Sequence, residues 1–148
     1  MDWQEGYQIA YPPTWKATTD SDMYGSAIYR DAPNLEQLLV ESQGHFTSIA
    51  QVAPASIGVT VFDPQGKNVD QLWEDAGGYG GDIDREMNIA GERGRLGICT
   101  GIQYEECISV LHGGRAYSIN MYKQGLVVGD PSVRAEIEQI INAFTFLQ

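Results

Sequence analysis

One stretch near the start of the chain does most to decide the fold, Gly6-Tyr-Gln-Ile-Ala-Tyr-Pro-Pro-Thr-Trp15. It predicts a short strand over about Tyr7 to Tyr11. Pro12-Pro13 should end this strand, because proline cannot donate a hydrogen bond to a sheet, and Trp15 is expected to be buried against the turn. The close of the chain, Ala143-Phe-Thr-Phe-Leu147, predicts a last short strand after a helix. The residues between these two ends predict mostly strands and turns.

Composition is typical of one folded domain. At 148 residues with 43% apolar residues, the chain is long enough to bury a core and too apolar to be disordered. Its 17 glycines suit a protein rich in strands and turns. We therefore expect a single domain over residues 1–148.

The net charge of −11 excludes several classes of partner. Binding to nucleic acid or to an anionic membrane surface requires clustered Lys and Arg, which this chain lacks. The charge favours solubility and is compatible with a basic or cationic partner, although a solvated acidic surface explains it better. No apolar run approaches the ~20 residues that a membrane span needs. The opening Met1-Asp-Trp-Gln-Glu5 lacks the features of a signal peptide, so we expect any targeting segment to lie outside this sequence.

The first half of the chain predicts a mixture of elements. Ser26–Arg30 is predicted to be a strand. Asn34 is a suitable N-cap for a helix over Leu35–Glu41, although a strand over Glu36–Ser42 fits almost as well. The segment Ser42–Ser56 predicts a long surface loop.

The middle of the chain begins with the clearest strand, Ile57–Phe62, in which apolar residues recur with a period of two. Asn68 is then a suitable N-cap for a helix over Val69–Ala76. Three further strands are predicted, over Asp82–Ala90, Arg95–Thr100 and Glu105–Leu111.

A β-hairpin is the firmest local prediction. Ile108–Leu111 and Ala116–Tyr122 flank the sequence His112-Gly-Gly-Arg115, whose two glycines supply the positive φ angles of a tight turn. Asp130-Pro131 then predicts the start of the last helix. Glu136 and Glu138 lie off its apolar face, which is formed by Val133, Ile137, Ile140, Ile141 and Phe144.

The two cysteines, Cys99 and Cys107, leave two alternatives open. They can close a small disulfide loop, which would place the protein outside the cytoplasm. They can equally be two buried free thiols. Their spacing matches neither a redox motif nor a zinc-finger motif.

A group of carboxylates suggests a metal site. Asp82, Asp84 and Glu86 follow a glycine-rich break and could bind calcium or manganese through oxygen atoms. The spacing does not match an EF-hand, and a solvent-facing strand explains the same alternation. We expect no cofactor, with Ca²⁺ or Mn²⁺ as the alternative.

No set of residues predicts an enzyme. A thiol enzyme would pair Cys99 or Cys107 with His45 or His112, but both cysteines fall in predicted strands and His112 falls beside a turn. No serine has the Gly-x-Ser-x-Gly frame. The glycine-rich run 77–81 lacks the Lys-Ser or Lys-Thr of a phosphate loop.

Exposed aromatic and imidazole side chains are better candidates for binding. Tyr24 and Tyr79 lie beside glycines in predicted loops, and aromatic residues often anchor interfaces. Together with His45 and His112, they form the predicted surface for a ligand or partner.

Three segments carry a resemblance to a known family. Gly6–Trp15, Gly113–Ile119 and Ile140–Phe146, in this order of elements, resemble the PsbP-like or Mog1-like superfamily. The resemblance implies an α+β fold, a three-layer α/β/α sandwich with a central, mainly antiparallel sheet. These motifs concern packing and turns, so they carry over no catalytic residue.

The resemblance also implies a class of function. Members include accessory proteins of the photosystem in the thylakoid lumen, proteins that bind a nuclear small GTPase, and outer domains of bacterial lipoproteins; this acidic sequence is most similar to the last. It implies a non-enzymatic, extracytoplasmic binding or accessory domain in the periplasm, a lumen or at the cell surface. We expect a monomer with a protein partner or a small ligand. The alternatives are metal-dependent binding through Asp82, Asp84 and Glu86, a cytosolic protein-interaction module, and a thiol enzyme.

Overall fold

The computed structural model of the chain describes residues 6–18, 26–46, 49–76, 85–98, 105–123 and 131–147. These residues form an α+β fold, as predicted. The strands are β1 (Tyr7–Gln8), β2 (Trp15–Thr18), β3 (Ser26–Arg30), β4 (Ala55–Phe62), β5 (Arg85–Ile89), β6 (Glu92–Ile98), β7 (Glu105–His112), β8 (Arg115–Lys123) and β9 (Thr145–Phe146). The helices are α1 (Leu35–Glu41), α2 (Ile49–Val52), α3 (Val69–Asp75) and α4 (Pro131–Asn142).

The described strands form two sheets. The large sheet has the order β2-β3-β4-β8-β7-β6-β5, and all its neighbouring strands are antiparallel. β1 and β9 form a separate antiparallel pair, in which Tyr7 lies opposite Phe146. The two ends of the described chain are therefore held together by backbone hydrogen bonds.

The start of the chain differs from the sequence prediction in two ways. The predicted strand Tyr7–Tyr11 is shorter, since β1 ends at Gln8. The Pro-Pro turn is then closed by a hydrogen bond from Trp15 N to Pro12 O of 2.9 Å, and it leads into the unpredicted strand β2. The predicted burial of Trp15 is confirmed, because its side chain is 2% exposed.

One face of the large sheet carries the main core, which is closed by α4. Alternate residues of the central strands point to this face because side chains in a strand alternate with a period of two. The predicted apolar face of α4 is confirmed: its four helical residues are buried, and so is Phe144, which lies just after the helix ends. The sheet residues of this core include Ile57, Val59, Ile108, Val110, Tyr117 and Ile119.

The opposite face is covered by α3, which packs on β6 and β7; α2 packs against β3 and β4, and α1 packs against α2. Trp73 of α3 is 5% exposed and lies over Gly97 of β6, where the missing side chain makes room for its indole ring. The Arg95 guanidinium stacks on the same ring, 3.8 Å from its centre. With α4 on the other side, this arrangement makes the three-layer sandwich that the sequence predicted.

Several predicted elements need correction at their ends. Ser42–Ser56 is not a continuous loop, because α2 lies within it and β4 already begins at Ala55. β5 begins at Arg85 in the described residues, and residues 82–84 lie outside them. β6 begins at Glu92 rather than at Arg95 and is described as far as Ile98, while residues 99 and 100 of the predicted strand lie outside the described residues.

The two predicted helix caps have different outcomes. Asn68 caps α3 as predicted, since its side chain accepts a hydrogen bond from Gln71 N, and the Gln71 side chain accepts one from Asn68 N in return. The prediction for Asn34 is wrong. Asn34 precedes α1 in the left-handed conformation, with φ of 65°, and its side chain makes no capping hydrogen bond.

This difference predicts effects of different size for substitutions at the two asparagines. Asn68→Ala should destabilise the protein by about 1 kcal/mol, because it removes one acceptor of the capping box. Asn34→Gly should change stability by less than about 0.5 kcal/mol, because glycine adopts positive φ without strain. Urea denaturation of both variants tests the contrast, and equal losses would contradict it.

Candidate functional site

The structure describes two of the four residues predicted to form a binding surface. His45 lies in the turn after α1, with its ring edge-on to Phe46 at 5.0 Å between centroids. His112 lies at the end of β7. No hydrogen bond, ion pair or ring contact joins His45 to His112 within the described chain. Tyr24 and Tyr79 lie outside the described residues, so this surface stays a prediction.

His112 is less exposed than a turn residue usually is, and it has two neighbours. Its Nδ1 lies 2.8 Å from Glu92 Oε2, and its side chain is 25% exposed. Its ring stacks on Phe146 at 4.2 Å between centroids, with 8° between the planes. His112 therefore connects the hairpin of the large sheet to the β1–β9 pair.

The carboxylates predicted to bind metal are only partly described. Glu86 Oε1 accepts a hydrogen bond of 2.8 Å from Arg93 Nε, and Arg93 also contacts Asp70 Oδ1 at 3.0 Å. Asp82 and Asp84 lie outside the described residues. Within the described ranges, no three His, Cys, Asp or Glu side chains are grouped as metal ligands. The calcium or manganese site stays a prediction.

The same limit applies to the cysteine pair. Cys107 is fully buried in β7 and is disulfide-bonded. Its expected partner Cys99 lies outside the described residues. The pairing of these two residues therefore stays a prediction.

A cavity of about 310 Å³ lies between α4 and strands β5 to β8, and we call it the α4 groove. Its volume is at the lower end of the range for small-molecule sites. Its apolar lining consists of Met87, Leu96, Ile108, Met121, Ile137 and Ile141, and its polar lining of Arg85, Glu106, Arg134, Glu138 and Asn142.

A buried carboxylate distinguishes this groove. Glu106 is 4% exposed and lies in β7 opposite Met121, on the same face as Ile108. Its Oε2 atom is 3.5 Å from Nη2 of Arg134 in α4. A charge removed from water is costly unless it is paired, and a buried ion pair seldom adds net stability. A charged residue kept in the wall of a cavity is therefore a reason to regard the cavity as a binding site.

The entrance to the groove carries further charges. Arg85 is the first residue of the edge strand β5, and Glu138 lies one helical turn after Arg134 on α4. Both side chains are exposed, and neither forms a hydrogen bond or ion pair with another described residue. The groove thus combines an apolar floor with one free positive and one free negative group.

A second cavity, of about 550 Å³, lies on the other face of the sheet. Its walls include Thr60, Phe62 and Ser118 of the sheet and the ion pair between Lys67 and Asp75. The residues of this pair are about half exposed, and Phe62 is 41% exposed at the rim. The described residues that line this cavity include no buried charge, so the α4 groove is the better candidate.

The ion pair between Glu106 and Arg134 should contribute to the stability of the protein. Arg134→Ala should destabilise the protein by about 2 kcal/mol, because the buried carboxylate of Glu106 loses a charged neighbour. Adding Glu106→Gln to this variant should recover part of the loss, because the amide carries no charge. Thermal unfolding measures both, with Arg115→Ala at an exposed site as the control. A loss in Arg134→Ala no larger than in the control would contradict the prediction.

The fold that this geometry defines is PsbP-like. The solution structure of cyanobacterial PsbP (CyanoP) from Synechocystis matches 98% of this chain and 89% of its own, with a TM-score of 0.51 and 10% identity. LpqN of Mycobacterium tuberculosis, a protein involved in cell envelope biogenesis, matches 96% of this chain and 83% of its own, with a TM-score of 0.56 and 10% identity. These matches confirm the predicted PsbP-like fold, and the likeness to Mog1 stays a prediction.

A third similar structure comes from Bacteroides thetaiotaomicron. It covers 96% of this chain but only 45% of its own, with a TM-score of 0.52 and 14% identity. Neither a protein-family model nor a curated protein sequence matches this chain. None of the helices formed by the described residues has the length and apolar character needed to cross a membrane.

Proposed function

We propose that this protein is a non-catalytic, extracytoplasmic domain that binds a small ligand in the α4 groove. The observation that carries the proposal is the buried carboxylate of Glu106 in the wall of that groove. A site that binds without reacting needs an apolar cavity and a few placed polar groups, which the groove provides.

The fold and the state of Cys107 support the location. LpqN, which shares the fold over most of its length, is involved in cell envelope biogenesis. Cys107 is disulfide-bonded, and disulfides persist mainly in oxidising compartments. The location is therefore proposed as the periplasm, a lumen or the cell surface.

The contacts of the candidate catalytic groups support a binding role. A hydroxyl or thiol nucleophile is commonly activated by a base within hydrogen-bond distance. Cys107 is held in a disulfide, and His112 contacts Glu92 and Phe146. His45 contacts the ring of Phe46. Neither described histidine side chain is hydrogen-bonded to a described hydroxyl or thiol.

Ligand binding in the α4 groove can be tested with protein purified from its native cells. Native mass spectrometry should show a bound small molecule on the wild-type chain. Met87→Trp should abolish this added mass because the indole fills the groove, whereas Leu38→Trp, at an exposed site on α1, should keep it. A wild-type chain without added mass, or equal retention by both variants, would overturn the ligand site.

The location is tested on the same material. Free thiols are alkylated before lysis, and intact mass is then measured with and without reductant. A chain that gains alkyl groups only after reduction supports an oxidising compartment. Alkylation of both cysteines before reduction would contradict the proposed location and favour a cytosolic interaction module.

A further inference from the structure

We infer that the ligand of the α4 groove is a single-chain amphiphile with a zwitterionic head group. The inference rests on the proposed function, since it specifies the chemistry of the same site. The inference uses Arg85 and Glu138, the two charged residues of the groove lining that are not part of the Glu106–Arg134 ion pair.

The charges of the described groove residues balance. Arg134 faces Glu106 at 3.5 Å, so these two charges largely offset each other. Arg85 and Glu138 remain, one on the edge strand and one on the helix, and neither has an ion-pair partner among the described residues. A head group with an anionic and a cationic centre complements both residues. An anion alone is repelled by Glu138, and a cation alone is repelled by Arg85.

The strand register places the free charges above the apolar floor. Arg85 lies opposite Leu96, and Leu96 lies opposite Ile108. On α4, Glu138 directly follows Ile137, and Ile141 lies one turn further on. An alkyl chain on the floor therefore has charged groups beside it on both walls.

The floor suits an alkyl chain of adaptable shape. Met87 and Met121 both line it, and methionine side chains adjust to irregular apolar surfaces. A cavity of about 310 Å³ has room for one chain rather than for the surface of a bilayer. The net charge of −11 also opposes an anionic membrane as the partner.

The test uses three amphiphiles with the same ten-carbon chain: decyl sulfobetaine, decanoate and decyltrimethylammonium. Binding to the full chain is followed below micelle concentrations by the ¹³C-methyl NMR signals of Met87 and Met121. The sulfobetaine should bind about fivefold more tightly than either singly charged compound, because it adds an exposed ionic contact without a repulsive one. Shortening its chain by one methylene should weaken binding about fourfold.

Two charge-removing variants give opposite patterns. Arg85→Gln should weaken sulfobetaine and decanoate binding about three- to fivefold and should strengthen binding of the cation. Glu138→Gln should weaken sulfobetaine and cation binding by a similar factor and strengthen that of decanoate. Arg115→Gln, exposed at the hairpin, is the control and should change none of the three affinities.

The outcomes separate this inference from the proposed function. Equal binding of all three amphiphiles, unaffected by both variants, would overturn the zwitterionic ligand and leave the groove as a binding site. If the protein bound decanoate or decyltrimethylammonium most tightly, the zwitterionic ligand would be overturned in favour of a ligand with that single charge. If none of the three shifted the two methyl signals, the ligand-binding groove itself would be contradicted.

Discussion

Gly97→Ala should be among the most damaging single substitutions in this protein. A Cβ atom at position 97 would lie 2.3 Å from Cζ2 and 2.5 Å from Nε1 of Trp73. Such distances are far inside van der Waals contact, so either the indole or the strand must move. Overpacking of a buried site costs about 3 kcal/mol when rigid groups collide, so we expect a loss of this size.

The surroundings of Trp73 leave the ring little freedom to move. The side chain is 5% exposed, and the Arg95 guanidinium lies on its ring at 3.8 Å. Arg95 is itself hydrogen-bonded to Asp70 Oδ1 at 3.0 Å. Moving the indole would thus disturb a stacked and hydrogen-bonded group on the surface of the sheet.

Denaturant unfolding with a matched glycine tests this prediction. Gly94 lies in the same strand, and a Cβ atom there would lie 3.1 Å from Ile89 Cγ1 and 3.2 Å from Ile108 Cγ2. These distances are only slightly short, so Gly94→Ala should cost about 1 kcal/mol. A Gly97→Ala variant no less stable than Gly94→Ala would refute the prediction.

A second variant keeps the prediction testable if Gly97→Ala does not fold. Trp73→Phe removes the part of the ring that lies nearest to Gly97. In that background, Gly97→Ala should cost about 2 kcal/mol less than in the wild type, because residues in contact are energetically coupled. Additive losses would show that Trp73 is not the group with which the new methyl collides.

The sequence predicted the elements whose burial follows a local pattern. The apolar face of α4 and the Gly113-Gly114 hairpin need only residues near one another in the chain, and the structure confirms both. The strand β2 and the pairing of β1 with β9 were missed. β2 has only four residues, too few to show a clear alternation of apolar side chains. β1 and β9 have two residues each, and their pairing joins opposite ends of the chain.

The α4 groove was only partly predictable. The position of Glu106 in the sequence already suggested a special site. It shares the inward face of β7 with Ile108 and Val110, where a charged residue is unusual. Nothing in the sequence around Arg85 or Arg134 predicted that either residue would line a groove. Their position at the groove depends on how α4 crosses the sheet, which a single sequence does not specify. The predicted surface residues Tyr24, His45, Tyr79 and His112 do not line this groove where they are described.

The role of Glu136 was also not predictable from the sequence, although this residue is important for stability. The sequence placed it off the apolar face of α4, which predicts a solvated side chain. Instead its side chain is 18% exposed and accepts three hydrogen bonds from the other end of the chain. The donors are Thr14 Oγ1 at 2.6 Å, Trp15 Nε1 at 2.9 Å and Arg30 Nε at 3.1 Å.

We expect Glu136→Gln to destabilise the protein by about 3 kcal/mol. The amide removes the charge that faces Arg30 and replaces one acceptor by a donor, so a buried indole N–H or the guanidinium loses its partner. Glu74→Gln removes a charge from an exposed site on α3 and should cost less than about 0.5 kcal/mol. Urea unfolding of both variants at pH 7 provides the comparison.

The pH dependence of the same variant tests the cause of the loss. Burial of Glu136 would by itself raise its pKa, but the hydrogen bonds from Thr14 and Trp15 and the charge of Arg30 outweigh it and lower the pKa. A carboxyl group whose pKa is lower in the folded state stabilises the protein fully above its unfolded pKa of about 4.3. This contribution is lost as the pH falls through the folded pKa.

The free energy of unfolding of the wild type should therefore exceed that of Glu136→Gln by a constant amount above about pH 5.5. Below that pH the difference should shrink, because protonated Glu136 no longer offers a carboxylate to Arg30 and Trp15. The Glu74→Gln variant should follow the wild type over the same range, because its side chain is exposed. A difference between wild type and Glu136→Gln that stayed the same down to pH 3 would show that shape, rather than charge, makes Glu136 the link between α4 and strands β2 and β3.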